Sequence, residues 1–322
     1  MRTIAVADVG GTHARFALAG VEGGRVVSLG EPVTLKTAEH ASFQTAWEEF
    51  GRRAEIDLPK ELALSFAGPV GGEVLKLTNN PWVIRPALMG ERLGVERHTV
   101  VNDFGAVGYA VATLPDEHFR HLCGPRIPLP KQGVISIVGP GTGLGVAALL
   151  RKADHYEVIE TEGGHIDFAP LDTLEDQILT QLRRQFRRVS VERVAAGQGL
   201  LNLYEALGAI EGKDILYHDQ KELWAVALAG GDSLANAALD RLCLTLGAVA
   251  GDLALAQGAN GVVIAGGVGL RLADYLPRSG FGERFIAKGR FERRMDEMPV
   301  KLITHPQPGL YGAAAAFARE HG

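Results

Sequence analysis

The sequence predicts an α/β protein built from two domains. Strand-like and helix-like segments alternate through the first third of the chain, and two glycine loops each lie between two apolar strands. A length of 322 residues is enough for two domains, each with its own core. A single rigid globule is therefore not expected.

The first domain begins with β-rich segments and inserts helices between its later strands. Residues 43–54 have helical spacing, Gly68-Pro69 ends a buried strand with a turn, and Pro86 stands at a helix start. The segment 115–132, rich in Pro, His and charge, is predicted to cross into the second domain. The predicted strands are 3–9, 13–19, 26–35, 62–66, 75–77 and 99–102, and the predicted helices are 43–54, 87–93 and 104–112.

The second domain is predicted to be mostly helical after its first strands. The helix at 174–186 is amphipathic, and the four arginines near its C-terminal end suit the helix dipole as a solvated face. A third glycine turn, Gly266-Gly267, ends a strand. The predicted strands here are 134–138, 261–265 and 300–303, and the other helices are 234–256 and 309–319.

The two glycine loops predict phosphate binding. Asp8-Val9-Gly10-Gly11-Thr12 and Gly139-Pro140-Gly141-Thr142-Gly143-Leu144-Gly145 contain glycines that let successive N–H groups converge on an anion. The Thr12 and Thr142 hydroxyls add donors, and the Asp8 carboxylate can hold a hydrated Mg²⁺. A lone Gly-Gly-Thr is more often only a hairpin turn, but two matched loops favour a nucleotide. Leu144 stands where G-x-G-x-x-G requires glycine, and no P-loop string occurs.

Composition and charge argue against several classes of protein and of binding site. With 33 Lys and Arg against 38 Asp and Glu, the net charge is −5, so no basic field favours nucleic acid or an anionic membrane. Cys123 and Cys243 lie far apart, without the spacing of a disulfide framework or a zinc site. The chain enters a strand at once, and no apolar run is long enough to span a membrane. We expect a cytoplasmic protein with a small, soluble ligand.

Several polar residues are candidates for chemistry. Asn102-Asp103 ends an apolar strand and precedes an apolar helix, so Asp103 is either an N-cap or a general base. Glu192 follows Val189-Ser190-Val191 and is either a first-turn carboxylate favoured by the helix dipole or part of a site.

Two further clusters have the residue types of metal ligands. Glu162-Gly163-Gly164-His165 matches the Glu-x-x-His of di-iron sites, but that motif needs a helix and a second copy. Two glycines favour instead a turn that presents Glu162 and His165 to a polyol. His118, His121 and Cys123 lack a fourth ligand at suitable spacing, so we interpret them as loop side chains.

Six ordered motifs closely resemble the bacterial glucokinases of the proteobacterial and cyanobacterial type. The resemblance extends from the first strand to Pro308–Ala313, which is essentially the whole chain. The zinc-binding C-x-C-G-x-x-G-C segment of the related ROK kinases is not found, and two residues before the first strand leave no room for the helix-turn-helix of ROK repressors, so neither zinc nor DNA is expected. The motifs are Asp8–Thr12, Leu77-Thr78-Asn79-Asn80-Pro81-Trp82, Asn102-Asp103-Phe104, Gly141–Gly145, Glu162–Pro170 and Val189–Arg193.

The resemblance implies an actin-like (ribonuclease H-like), hexokinase-type fold, with two α/β domains around an ATP and sugar cleft. The C-terminal helix is expected to return to the first domain, which gives a small domain of 1–112 with 306–322 and a large domain of 113–305. The implied activity is transfer of the γ-phosphoryl group of ATP to the 6-hydroxyl of D-glucose with Mg²⁺. A homodimer is also implied.

The resemblance also assigns roles to individual residues. Asn102 and Asp103 should contact the distal sugar hydroxyls, with Asp103 as the base for the 6-hydroxyl. The side chains expected nearer the anomeric carbon are Glu162, His165 and Glu192. Asp8, Gly10, Gly11 and Thr12 with Gly141, Thr142 and Gly143 should flank the phosphates, and Gly266, Gly267 and Gly309 should line the adenosine side. The alternatives are a kinase of another hexose or amino sugar and, from another class, an actin- or chaperone-like ATPase.

Overall fold

The computed structural model describes residues 1–77 and 80–322, so Thr78 and Asn79 of the Leu77–Trp82 motif lie outside the described residues. The chain forms two compact units. Unit 1 comprises residues 1–115, 158–160 and 305–322, and unit 2 comprises 116–157 and 161–304. Among the described residues, no helix combines the length and apolar composition needed to cross a membrane.

Unit 1 is built on a mixed sheet. Its strands follow the order β3-β2-β1-β5-β8, with β4 also paired to β2, and a short hairpin, β6-β7, lies apart. β1 is antiparallel to β2 and parallel to β5, which is parallel to β8. The strands are β1 Arg2–Val9, β2 His13–Glu22, β3 Arg25–Leu29, β4 Val33–Lys36, β5 Glu61–Phe66, β6 Leu75–Lys76, β7 Val83–Ile84 and β8 Arg97–Asn102, and the helices are α1 Phe43–Ala54, α2 Met89–Leu93, α3 Asp103–Thr113 and α12 Pro308–His321.

The first sheet buries both faces because its strands are apolar at successive positions. Ala5 and Ala7 of β1 face a core that α1 completes, while Ile4 and Val6 face a second core that α12 completes. Helix α1 begins with a capping box at Ser42 and places its apolar stripe on the sheet. Its Phe43 ring stacks on Phe16 at a centroid distance of 5.7 Å.

Helix α12 packs on α3 without an intervening side chain at one point. A Cβ at Gly312 would collide with the backbone carbonyl of Ala106, so glycine is required there for the two helices to approach. Leu310, Ala313 and Phe317 extend the contact as fully buried residues.

Unit 2 contains most of the helices and the second sheet, except for residues 158–160 of its edge strand β12, which belong to unit 1. The strand order is β12-β11-β10-β13-β14-β9. The buried helix α8 provides much of its core. The strands are β9 Phe119–Cys123, β10 Gly133–Pro140, β11 Leu144–Arg151, β12 Tyr156–Thr161, β13 Ala259–Ile264 and β14 Val300–Ile303, and the helices are α4 Thr173–Leu182, α5 Glu192–Ala195, α6 Gly199–Glu211, α7 Gln220–Ala229, α8 Ser233–Ala256, α9 Gly266–Arg271, α10 Phe281–Ile286 and α11 Glu292–Asp296.

A charged network joins three helices of unit 2. Asp172, the N-cap of α4, accepts hydrogen bonds from Arg241 of α8 and Arg284 of α10, both at 2.6 Å. Glu175, only 1% exposed, accepts from Arg241 at 2.9 Å. Each buried charge therefore has opposite charges beside it, as a buried ionic group requires.

Most of the predicted elements are confirmed, and the differences are in the bounds and number of a few elements. Helix α1 has the predicted bounds, but the segment 26–35 is two strands, β3 and β4, separated by a break. The predicted crossing contains strand β9, and the helix predicted at 174–186 ends at Leu182. Gly266-Gly267 is the start of α9 rather than only a turn.

Candidate active site

The first glycine loop is the turn of the β1-β2 hairpin. The Gly10 N–H donates to the His13 carbonyl at 2.9 Å and closes the turn. The Gly11 carbonyl accepts the Thr37 hydroxyl at 2.7 Å, and the Thr12 carbonyl accepts the Thr37 N–H at 3.0 Å. These bonds fix the loop against the segment that follows β4.

Asp8 is held from two sides at the end of β1. Its Oδ1 accepts the Ser65 hydroxyl at 2.8 Å, and its Oδ2 accepts Arg15 Nη1 at 3.3 Å. A Cβ at Gly309, near the start of α12, would stand 3.1 Å from the Asp8 carboxyl carbon. Gly309, predicted on the adenosine side, therefore lies beside Asp8 in unit 1.

Asn102 and Asp103 lie where β8 passes into α3. The Asn102 side chain accepts the N–H groups of Phe104 at 2.9 Å and Gly105 at 3.2 Å, so Asn102 is the N-cap and the interpretation of Asp103 as the N-cap is wrong. Asp103 is the first helical residue, half-buried, and its Oδ1 accepts the Phe104 N–H at 2.9 Å. Its carboxylate is therefore stabilised by the helix dipole.

The second glycine loop is the turn of the β10-β11 hairpin. The Gly141 N–H donates to the Gly143 carbonyl at 2.8 Å, and the Gly141 carbonyl accepts the Gly197 N–H at 2.8 Å. Gly266 lies beside this hairpin, because a Cβ on it would stand 2.5 Å from the Pro140 carbonyl oxygen, and its φ of +77° favours glycine.

Glu192 contacts the same loop from the start of α5. Its Oε2 accepts the N–H of Leu144 at 3.0 Å. A Cβ at Gly143 would collide with that oxygen, so the glycine provides the space that the carboxylate occupies. A predicted sugar ligand and a predicted phosphate loop are thus in direct contact within unit 2.

Glu162 precedes a short 3-10 turn, and His165 is the last residue of that turn. His165 Nε2 stands 3.8 Å from Glu162 Oε2, and 57% of the His165 side chain and 74% of the Glu162 side chain are exposed. A Cβ at Gly164 would collide with the Leu144 carbonyl, so a glycine is needed where the turn packs on β11. The expected glycine turn is confirmed, and it presents both side chains to solvent.

The predicted residues are divided between the units. Those within unit 1 are Asp8, Gly10, Gly11, Thr12, Asn102, Asp103 and Gly309. Those within unit 2 are Gly141, Thr142, Gly143, Glu162, His165, Glu192, Gly266 and Gly267. Each unit therefore contains one glycine hairpin and one set of hydrogen-bonding side chains suited to hydroxyl groups.

Three residues of unit 1 near the predicted site were missed from the sequence. Arg15 and Ser65 hold Asp8, and Glu160 Oε1 accepts the Asn102 N–H at 3.1 Å. Partial burial raises the pKa of Glu160, and the Asn102 N–H partly opposes that rise. Hairpin register could have identified Arg15, since it pairs with Asp8, whereas nothing in the sequence indicates Glu160.

The two mixed sheets, each with a hairpin turned by glycines, form the actin-like, hexokinase-type fold. Residues 5–320 match the sequence profile of the glucokinase family. The chain belongs to the glucokinase family and is therefore an ATP-dependent hexose kinase.

Individual relatives cover nearly the same length. The chain is 63% identical over 321 residues to the glucokinase of Zymomonas mobilis, covering 100% of this chain and 99% of that one. It is 40% identical over 315 residues to the glucokinase of Paramagnetospirillum magneticum, covering 97% and 96%. The crystal structure of glucokinase from an Antarctic psychrotroph matches with a TM-score of 0.86 and 33% identity, covering 98% of this chain and 99% of that chain.

Proposed function

We propose that the protein transfers the γ-phosphoryl group of ATP to the 6-hydroxyl of D-glucose, which yields glucose 6-phosphate and ADP. The observation that carries this proposal is the 63% identity to the glucokinase of Zymomonas mobilis over the full chain. The positions of the hydrogen-bonding side chains support it. We further propose that the enzyme is a cytoplasmic homodimer that catalyses the first step of glycolysis.

The proposed general base is Asp103. The 6-hydroxyl oxygen attacks the γ-phosphorus, the bond to the β–γ bridging oxygen breaks, and the hydroxyl proton passes to the Asp103 carboxylate. The Phe104 N–H holds Oδ1 of that carboxylate at 2.9 Å, and the Asn102 cap fixes the start of the helix that positions it. Accurate orientation of the acceptor supplies a large part of the rate in phosphoryl transfer.

The residues around Asp8 fit a role for Mg²⁺ through water. Mg²⁺ retains several waters and takes oxygen ligands, and Asp8 offers a carboxylate with 24% of its side chain exposed. Arg15 and Ser65 already occupy positions on both oxygens, which favours contact through a coordinated water. Bound to the ATP phosphates, the ion would offset the negative charge that develops during phosphoryl transfer.

The proposed sugar ligands are Asn102 and Asp103 in unit 1 and Glu162, His165 and Glu192 in unit 2. These side chains donate and accept hydrogen bonds, and a site of this kind discriminates by leaving its polar groups unpaired with the wrong sugar. Gly10-Gly11-Thr12 and Gly141-Thr142-Gly143 are proposed to bind the phosphates through backbone N–H groups and hydroxyls.

A coupled assay of ADP release tests the proposed function. The purified protein is supplied with ATP and, in turn, glucose, fructose, mannose, N-acetylmannosamine or no sugar, with and without Mg²⁺. We expect rapid ADP release with glucose and Mg²⁺ and little without either. Preferred turnover of another sugar would assign that sugar as the substrate, and ADP release that is independent of sugar would indicate an ATPase.

A further inference from the structure

Glu192, one of the proposed sugar ligands, is also hydrogen-bonded to the second glycine loop. Its Oε2 accepts the Leu144 N–H at 3.0 Å. A carboxylate has several lone-pair positions on two oxygens, so this bond leaves the group able to accept a sugar hydroxyl as well. Any hydroxyl that fixes the Glu192 side chain therefore also fixes the Leu144 N–H.

The segment that contains α5 is hydrogen-bonded to both ends of the second glycine loop. Glu192, the first residue of α5, bonds to Leu144 at one end of the turn, and the Gly197 N–H, just after α5, donates to the Gly141 carbonyl at 2.8 Å at the other end. A displacement of α5 must therefore move the loop or break these bonds.

The same segment is tied to the turn that contains His165. The Val191 N–H donates to the Ile166 carbonyl at 2.9 Å, and the Phe168 N–H donates to the Val189 carbonyl at 3.0 Å. The proposed sugar ligands of unit 2 thus share one hydrogen-bonded framework with the loop.

We propose that Glu192 is a positioning residue that couples sugar occupancy to nucleotide binding through the Leu144 N–H. This inference rests on the proposed function, since it takes glucose as the ligand of Glu192. With glucose bound, the carboxylate holds the loop 141–144 in the conformation that binds phosphate. Without glucose, the side chain is less restricted, the loop is less ordered, and nucleotide binds more weakly.

The glycines of the loop provide a matched pair of variants. A methyl group at Gly143 would occupy the position of Glu192 Oε2, so Gly143→Ala displaces the carboxylate from Leu144 and leaves Glu192 in the chain. Gly141→Ala adds the same methyl to the same loop, where its nearest neighbour would be the Gly143 carbonyl oxygen at 3.9 Å. Comparison of the two separates loss of the Glu192 bond from the effect of a methyl group in the loop.

The test measures the affinity of ADP with Mg²⁺ by calorimetry, with and without saturating glucose. In the wild type we expect glucose to tighten nucleotide binding by about tenfold, within the usual range of coupling between sites. In Gly143→Ala this ratio should fall to within about twofold of one, whereas Gly141→Ala should keep it, whatever its own nucleotide affinity. Glu192→Ala should also lose the ratio, and Glu192→Gln, whose amide oxygen still accepts the Leu144 N–H, should keep part of it.

A second measurement uses the wild type alone and does not depend on how the variants fold. Hydrogen exchange of the Leu144 amide should slow when glucose is added. A wild-type ratio retained by Gly143→Ala, or an exchange rate of Leu144 that glucose leaves unchanged, overturns the coupling. If the wild type neither binds nor phosphorylates glucose, the proposed function itself fails, so the two failures are distinguishable.

Discussion

Asp8 and Arg15 are directly paired residues of the β1-β2 hairpin, and the guanidinium of Arg15 donates to the Asp8 carboxylate at 3.3 Å. The pair is partly exposed, with 24% of the Asp8 side chain and 43% of the Arg15 side chain accessible. Exposed ion pairs contribute only about 0–1 kcal/mol, so the pair adds little to stability, and its position beside the glycine turn suits the role that we propose for Asp8 at the phosphates.

We expect Asp8→Asn to lower turnover by roughly 10²-fold or more, since it removes the preorganised charge that we propose acts at the phosphates. The free energy of unfolding should change by less than about 1 kcal/mol. Steady-state kinetics and urea denaturation measure the two effects. Glu96→Gln, which breaks the exposed pair with Lys60, is the control and should leave turnover unchanged. Asp8→Asn turnover within a few-fold of the wild type would exclude the proposed role.

Asp103→Asn should lower turnover by about 10² to 10⁴-fold, because an amide cannot take the proton of the 6-hydroxyl. Asn102 supplies the cap, so the variant should melt close to the wild type and bind glucose with nearly normal affinity. Kinetics, calorimetry and thermal unfolding give the three readouts. Glu222→Gln removes another first-turn carboxylate, in α7, and controls for the dipole contribution. Glucose phosphorylation by Asp103→Asn at nearly the normal rate would remove Asp103 from the mechanism.

The network around Asp172 should make the protein less stable to unfolding at acid pH. Burial on its own raises the pKa of Asp172, but hydrogen bonds from the Glu175 N–H, Arg241 and Arg284 outweigh it and hold the pKa below the ordinary value of 3.8. The stabilisation is therefore fully present above about pH 4 and is lost as the pH falls through the native pKa.

The measurement is the melting temperature of the wild type and Asp172→Asn between pH 3 and 7. We expect the variant to be less stable at pH 7 and the difference to shrink steadily below pH 4. A difference that stays constant across the whole range would show that Asp172 does not carry this dependence.

Gly312→Ala should destabilise unit 1 by about 3 kcal/mol, at the upper end of the range for overpacking, because the methyl meets a rigid backbone carbonyl of α3. The midpoint of urea unfolding is the measurement. Gly71→Ala is the matched control, since a Cβ there has no neighbour within 4 Å and its φ is not in the left-handed region. Equal midpoints for the two variants would contradict the close approach of α12 and α3.

The strands and hairpin loops could be predicted because their signals are local. Apolar runs bounded by glycine define β1, β2, β10 and β11, and the helical spacing of α1 gives its bounds. Strand β9 was missed because the polar residues Arg120 and His121, between its buried Phe119 and Leu122, are typical of a loop. The cap of α3 was misassigned because Asn and Asp are equally good caps, so only the first helical residue decides between them.

The candidate site was less predictable where contacts join distant parts of the chain. Glu160 meets the Asn102 N–H across 58 positions of sequence, and Gly309 meets Asp8 only because α12 returns to the first unit. The bond between Glu192 and Leu144 spans 48 positions. No periodicity or turn signal encodes such pairs.

Helix α12 has a consequence for how the protein is made. It covers one face of the first sheet, yet it leaves the ribosome after all of unit 2. During synthesis the face formed by Ile4, Val6 and Ala19 therefore lacks the part of its cover that α12 provides until residue 308 and beyond have emerged. A nascent chain in that state exposes apolar surface, which is prone to aggregation. Docking of α12 is therefore the step that buries this surface.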